Sequence, residues 1–209
     1  MKKLYRDVAL MELLKDKKRI EQALQYMYYE LYKNEGKIVA NNIGERTITH
    51  KMAEYLQKYF PDYNVDCEYN RNYEMGANVA KKISCLKDEY VRLEEKRWKE
   101  IKERKKDEIY ESPICCYPDI IVHKRMNNSD NLLVIEVKKD NNNSQGNDKE
   151  FDYKKLRALT DKDGGYEFKY GVHIVIGIAP NVKIPLEETW FSEGREMKIH
   201  STNDTSKKS

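Results

Sequence analysis

Long apolar runs are missing from this chain. None approaches the roughly 20 residues that a membrane-spanning helix needs, and Met1-Lys-Lys-Leu-Tyr-Arg6 leads into no signal-like apolar segment. A soluble, cytoplasmic protein with no membrane partner is expected. Cysteine is sparse as well. Cys67, Cys85, Cys115 and Cys116 make no C-x-x-C pair and have no metal-ligand spacing with the four histidines, so reduced thiols are expected and a zinc site is not. Charge of one sign is also lacking. The 39 basic and 36 acidic residues leave a net +3, which generates no global field, so any nucleic-acid contact must be a local patch. What remains is 39% hydrophobic residues under a 36% charged complement in 209 residues, enough for one sizeable domain with an accessory piece.

Periodicity divides the chain. Residues 4 to 34 read as two helices, with Ile20, Leu24, Met27 and Leu31 at helical spacing, and residues 1–40 are expected as an N-terminal helical annex. Asn41-Asn-Ile-Gly44 is turn chemistry, a helix follows from Glu45 to Phe60, and Pro61 stops it. Val65 to Tyr69 alternates like a strand. From Val79 to Glu108 the chain reads as a long charged helix, an insertion spanning 78–111, better taken as a solvated face than as a track for phosphates. Strands follow at Asp119–His123 and Leu132–Lys138, joined by the polar cluster Met126 to Asn131. A helix is expected at about Glu150 to Thr160. Val172-His-Ile-Val-Ile-Gly-Ile-Ala179 reads as a strand buried on both faces and ended by Pro180 and Pro185. Residues 186–209 form a C-terminal extension, disordered in part. The fold class is α/β, a mixed sheet flanked by helices, with the core at 41–185.

The chemistry-bearing residues fall on this frame. Glu-x-Lys occurs seven times, but only Glu136-Val137-Lys138 closes an apolar strand, where a charge is costly to desolvate without a partner. Residues two apart on a strand share a face, so Glu136 and Lys138 point the same way. If the two strands form a hairpin centred on Asn127-Asn128, Asp119 lies across from Glu136. Their Cβ atoms are then about 5 Å apart. Carboxylates that close repel unless one is protonated or a cation intervenes. An all-oxygen site suits Mg²⁺ or Mn²⁺. Glu45 starts the core-facing stripe of its helix, where it could join the site or merely complement the helix N-terminus. Asp152 and Lys155 share a helical face with Leu156 and Leu159, and their plainer reading is an i,i+3 salt bridge at the core edge. His123, Glu68 and Arg71 stand close enough in the pattern to line the site, His123 reading more simply as a hydrogen-bonded strand end and Glu68 with Arg71 as a pair.

At Pro118-Asp119, Glu136-Val137-Lys138 and Glu45 the chain resembles the PD-(D/E)XK nuclease superfamily, whose fold is restriction-endonuclease-like. It looks more narrowly like a group of bacterial proteins with that core through Glu68-Tyr-Asn-Arg71, Pro118-Asp-Ile-Ile-Val-His123, Asn131 to Lys139 and Asp152-Tyr-Lys-Lys-Leu156. The similarity covers about residues 41 to 180. It implies a Mg²⁺- or Mn²⁺-dependent nuclease acting on nucleic acid, with DNA the first expectation. Asp119, Glu136 and the main-chain carbonyl of Val137 would be ligands, Glu45 an auxiliary one, and Lys138 would orient water or stabilise the transition state. The alternatives are a catalytically silent nuclease-fold module for nucleic-acid binding, regulation or protein interaction, and a structural ion-pair cluster. Homodimerisation stays open, since many superfamily members pair to cut both strands.

Overall fold

The computed structural model describes the backbone of residues 2–41, 44–69, 71–72, 79–80, 82–86, 111–126, 130–140, 146–178 and 182–197, with backbone alone at 2–10, 71–72, 79–80, 82–86, 111–115 and 146–148. Among the described residues three helices, α1 (Lys2–Ala40), α2 (Glu45–Tyr59) and α3 (Gly146–Thr160), flank a six-stranded mixed sheet. The sheet holds β1 (Asn64–Cys67), β6 (Ile120–His123), β7 (Leu133–Lys139), β8 (Tyr170–Gly177), β9 (Lys183–Ser192) and β10 (Arg195–Glu196), in that spatial order. β7 and β8 run parallel and every other neighbouring pair is antiparallel. Two small separate ribbons also lie among the described residues: β2 (Arg71–Asn72) with β3 (Val79–Ala80), and β4 (Lys82–Leu86) with β5 (Glu111–Cys115).

The N-terminal segment is one helix, not two. No glycine or proline interrupts residues 2 to 35, and its charged stretch is accommodated by ion pairs on the surface: Lys17–Glu21 at 2.6 Å, Arg19–Asp62 at 2.5 Å and Asp16–Lys169 at 2.7 Å. Its stripe of Ile20, Leu24, Met27 and Leu31 is buried in the same apolar cluster as Ile48, Met52 and Leu56 of α2 and the Ile120, Ile135 and Val172 side chains of the sheet. α1 is therefore built into the core rather than appended to it. Glu188 fastens the contact, accepting hydrogen bonds from Tyr28 Oη and Trp190 Nε1, both at 2.5 Å.

α3 covers the opposite face, where Leu156 and Leu159 pack with Ile121, Val134, Phe168 and Phe191. The alternation of Ile120 and Val122 against Ile121, and of Leu133 and Ile135 against Val134, assigns the two faces as a period of two requires. Central strands buried on both faces explain the continuous apolar runs. Gly171 lets α3 approach β8. A Cβ there would stand 3.1 Å from Thr160 Cγ2, 3.2 Å from Leu156 Cδ2 and 3.3 Å from Phe191 Cβ, and Thr160 is itself held by its hydroxyl on the Leu156 carbonyl. Gly171→Ala is expected to cost about 1–3 kcal/mol through overpacking, read as a lower urea midpoint with an unchanged slope.

Two further expectations are corrected. The segment expected as helix from Val79 begins as strand: β3 occupies 79–80 and β4 82–86, and Lys82-Ile-Ser-Cys-Leu86 finds an antiparallel partner in β5, which lies far along the chain. Residues 87–110, the bulk of the charged insertion, lie outside the described residues. β8 does end ahead of both prolines, at Gly177, but the extension expected from 186 continues the sheet: Pro185 lies within β9, which runs to Ser192. β10 covers only Phe191 and Ser192, so at Pro185 the strand is an edge, where a residue without N–H is tolerated. The tail expected to be disordered lies outside the described residues from 198 onward. Among the described residues no helix is long and apolar enough to cross a membrane.

Candidate functional site

The β6–β7 register pairs Ile120 with Ile135, Ile121 with Val134 and Val122 with Leu133. Carried one residue further, it sets Asp119 opposite Glu136, as the hairpin expectation required. Asp119 lies just before β6, and its Oδ2 accepts a 2.7 Å hydrogen bond from the Val137 main-chain N–H. That bond holds the carboxylate against β7. Burial pushes the Asp119 carboxyl up, and the Val137 hydrogen bond offsets only part of the shift. Glu136 is fully buried, and burial drives its carboxyl well above the ordinary range against the pull of Lys155.

α3 supplies the partners. Lys155 Nζ lies 2.5 Å from Glu136 Oε2 and 2.9 Å from Asp152 Oδ1, so the i,i+3 pair at the core edge is real but extends onto the Glu-x-Lys strand. Lys138 Nζ stands between Asp152 Oδ2 at 3.3 Å and Glu45 Oε1 at 3.7 Å. Burial would lower both ammonium groups, but the surrounding carboxylates outweigh it and hold both raised. Five of the sequence-derived residues other than Asp119 thus form one network: Glu45, Glu136, Lys138, Asp152 and Lys155. Asp119 joins it through the field it exerts on Lys138 and Glu136. Four carboxyl groups face two ammonium groups, a formal excess of two negative charges that the raised Asp119 and Glu136 carboxyls reduce wherever they hold a proton.

Of the other candidates, His123 lies apart from this network and Glu68 lines the cleft beside it. His123 is 3% exposed and hydrogen-bonds Asp66 Oδ2 at 2.9 Å through Nε2, with Tyr69 against its ring, so it belongs to the β1–β6 edge. The expected pairing of Glu68 with Arg71 falls outside the described residues. Glu68 itself meets Arg46 at 3.0 Å. Asp119 and Glu45 open onto a cleft of about 480 Å³ that Arg46, Thr49, His50, Cys67, Glu68 and Tyr117 also line. Burial pushes the Cys67 thiol up to about 11, so it stays protonated and unreactive near neutrality.

One residue escaped the sequence reading. His173 is paired across the sheet with Glu136 and is 1% exposed, with Nε2 3.8 Å from Asp152 Oδ2. Its signal was its position as the one polar side chain in Val172-His-Ile-Val-Ile176. Neither ring nitrogen has a hydrogen-bond partner among the described residues, and burial pushes the imidazole down to about 4. Its pKa is depressed on folding, so the unfolded chain binds the proton first. Stability is therefore lost as pH falls from about 6.5 to about 4, by roughly 3 kcal/mol in all. His173→Leu should abolish that loss while leaving stability at pH 7.5 within about 1 kcal/mol. The raised carboxyls act with the opposite sign, so urea titrations of both proteins at several pH values isolate the histidine.

The donor set suits a hard dication. Two carboxylates and a main-chain carbonyl are what Mg²⁺ or Mn²⁺ takes alongside water and phosphate, and Glu136 Oε1 is buried with no hydrogen-bond partner among the described residues. No three His, Cys, Asp or Glu side chains among the described residues already stand in a ligating group. Two carboxylates and a carbonyl do not require one. No protein-family model, curated protein or solved structure matches this chain.

Proposed function

We propose that this chain is a divalent-metal-dependent phosphodiesterase acting on nucleic acid, DNA first, on a restriction-endonuclease-like core of the PD-(D/E)XK type. The observation that carries this reading is Glu136. It is a fully buried carboxyl group in an apolar strand, one oxygen taken by Lys155 and the other without a hydrogen-bond partner among the described residues, inside a cluster of four carboxyl and two ammonium groups. A bound dication would polarise the phosphate and supply hydroxide from a bound water near neutral pH. Asp119, Glu136 and the Val137 carbonyl would hold it, with Glu45 as an auxiliary group. The Val137 N–H aims Asp119, and Lys155 fixes Glu136 by one oxygen so that the other stays available. Lys138 keeps its proton, and from β7 its positive charge would offset the charge that builds on a phosphorane.

The test is incubation of the purified chain with single-stranded, duplex and branched DNA, and with RNA, in Mg²⁺ or Mn²⁺. Cleavage is expected from the wild type and not from Asp119→Ala or Glu136→Ala. Cleavage that survives unchanged in both variants rejects the assignment. A second reading, a structural ion-pair cluster, is favoured by one feature: Lys138 is bridged to Glu45 and Asp152 rather than to Asp119 or Glu136, and Lys155 occupies Glu136. It predicts no Mn²⁺ binding heat that depends on Asp119 and Glu136.

A further inference from the structure

The cleft at Asp119 does not end there. It shares His50 and Cys67 with a second cleft of about 480 Å³, which reaches Gln57, Lys58 and Val65. Together they make a groove between α2 and β1 that runs along the helix from Arg46 to Lys58, about 18 Å at the helical rise. Tyr117 stands at the Asp119 end, two residues before the carboxylate, and is 56% exposed.

From this juxtaposition we propose that the α2–β1 groove is a track for a single nucleic-acid strand. Tyr117 would stack a base beside the reacting phosphate, and Arg46 and Lys58 would contact the backbone. The proposal rests on the nuclease reading of the same site and specifies its substrate class.

Three observations favour a single strand. A cleft of this volume matches one small ligand such as a nucleotide. Second, most of the acids on the groove walls already carry cations. Glu54 has Lys51 at 2.9 Å, Asp66 is bonded by His123 and Arg125, and Glu68 has Arg46 at 3.0 Å. The Arg46–Glu68 pair is exposed, and such pairs are weak enough to exchange for a phosphate. Once Arg46 turns to a phosphate, the acids left without an ion-pair partner among the described residues are Glu68 and Asp119, and both sit at the end where the reaction is placed. Third, an exposed tyrosine on a groove wall gives a face on which any base can stack, as strand-tracking proteins require.

The test is fluorescence anisotropy of a labelled 12-nucleotide oligo(dT) and of a 12-bp duplex in Ca²⁺, a readout that needs no cleavage. The wild type should bind the single strand at least about tenfold more tightly. Tyr117→Ala should weaken it roughly 5- to 150-fold, the range for one lost base stack, and Tyr117→Phe should bind within twofold of the wild type. Arg46→Gln and Lys58→Gln should each flatten the dependence of log K on log salt by about 0.7. Equal or tighter binding of the duplex, an unchanged Tyr117→Ala, or a Tyr117→Phe as weak as the alanine variant overturns the proposal. Absence of metal-dependent cleavage from a wild type that binds as described would instead reject the nuclease reading and leave the strand track standing.

Discussion

Glu136→Gln is expected to lower Mn²⁺-dependent cleavage by at least about 1,000-fold while leaving the chain folded. The amide keeps the volume of the side chain and an oxygen for the Lys155 hydrogen bond. It lacks the charge that would hold a dication. Metal stabilisation of a phosphoryl transition state is worth several kcal/mol, and about 4 kcal/mol corresponds to a factor of 1,000. A heat of Mn²⁺ binding should vanish with the activity. Turnover within tenfold of the wild type would show that Glu136 is not a ligand.

The same substitution has a stability signature with a definite sign. Burial raises the folded-state pKa of Glu136 well above 4.5, so its contribution is fully present below the unfolded value and is lost as pH rises through the folded one. Glutamine does not titrate. The wild type should lose more stability than Glu136→Gln as pH is raised from about 4.5, and Mn²⁺ should restore part of that loss in the wild type alone. Urea midpoints with and without the metal measure both effects.

Lys155→Met should be the most destabilising of the site variants, by about 3–5 kcal/mol, because it strips the partner from a carboxylate that has no access to water. For a chain of this size that is a fall in Tm of roughly 6 to 20 °C. The cost comes from the charge left behind, so Glu136→Gln/Lys155→Met should recover most of it. It should also shrink at acid pH, where Glu136 is neutral. A loss below about 1 kcal/mol for the single variant would mean that the Lys155–Glu136 pair does not carry a buried charge. The double-mutant cycle separates this pairwise effect from the contact of the ammonium with the Phe151 ring, 5.6 Å from its centroid.

How far the sequence carried depended on the range of the interactions. α2 and its stop at Pro61 were legible because periodicity and proline act locally. The β6–β7 hairpin was legible because its loop is short and its pairing local, so the opposition of Asp119 and Glu136 followed from counting. The β4–β5 ribbon was not, since Lys82-Ile-Ser-Cys-Leu86 becomes a strand only by pairing with residues more than 20 positions away. β9 was hidden by Pro185, whose meaning reverses once the strand is known to lie at an edge. His173 was passed over because an isolated histidine in an apolar run says nothing until Asp152 and Glu136 surround it.

By itself the sequence determined which side chains could do chemistry, Asp119, Glu136 and Lys138 above all, since strand alternation and hairpin register follow from steric rules over a few residues. Only the tertiary structure decided how those charges are shared. It set Lys155 rather than Lys138 on Glu136, placed Lys138 between Glu45 and Asp152, and brought Tyr117 to the mouth of the α2–β1 groove. The reason is that partner choice among four carboxylates and two ammonium groups depends on distances and burial between elements far apart in the chain, and no local pattern encodes those.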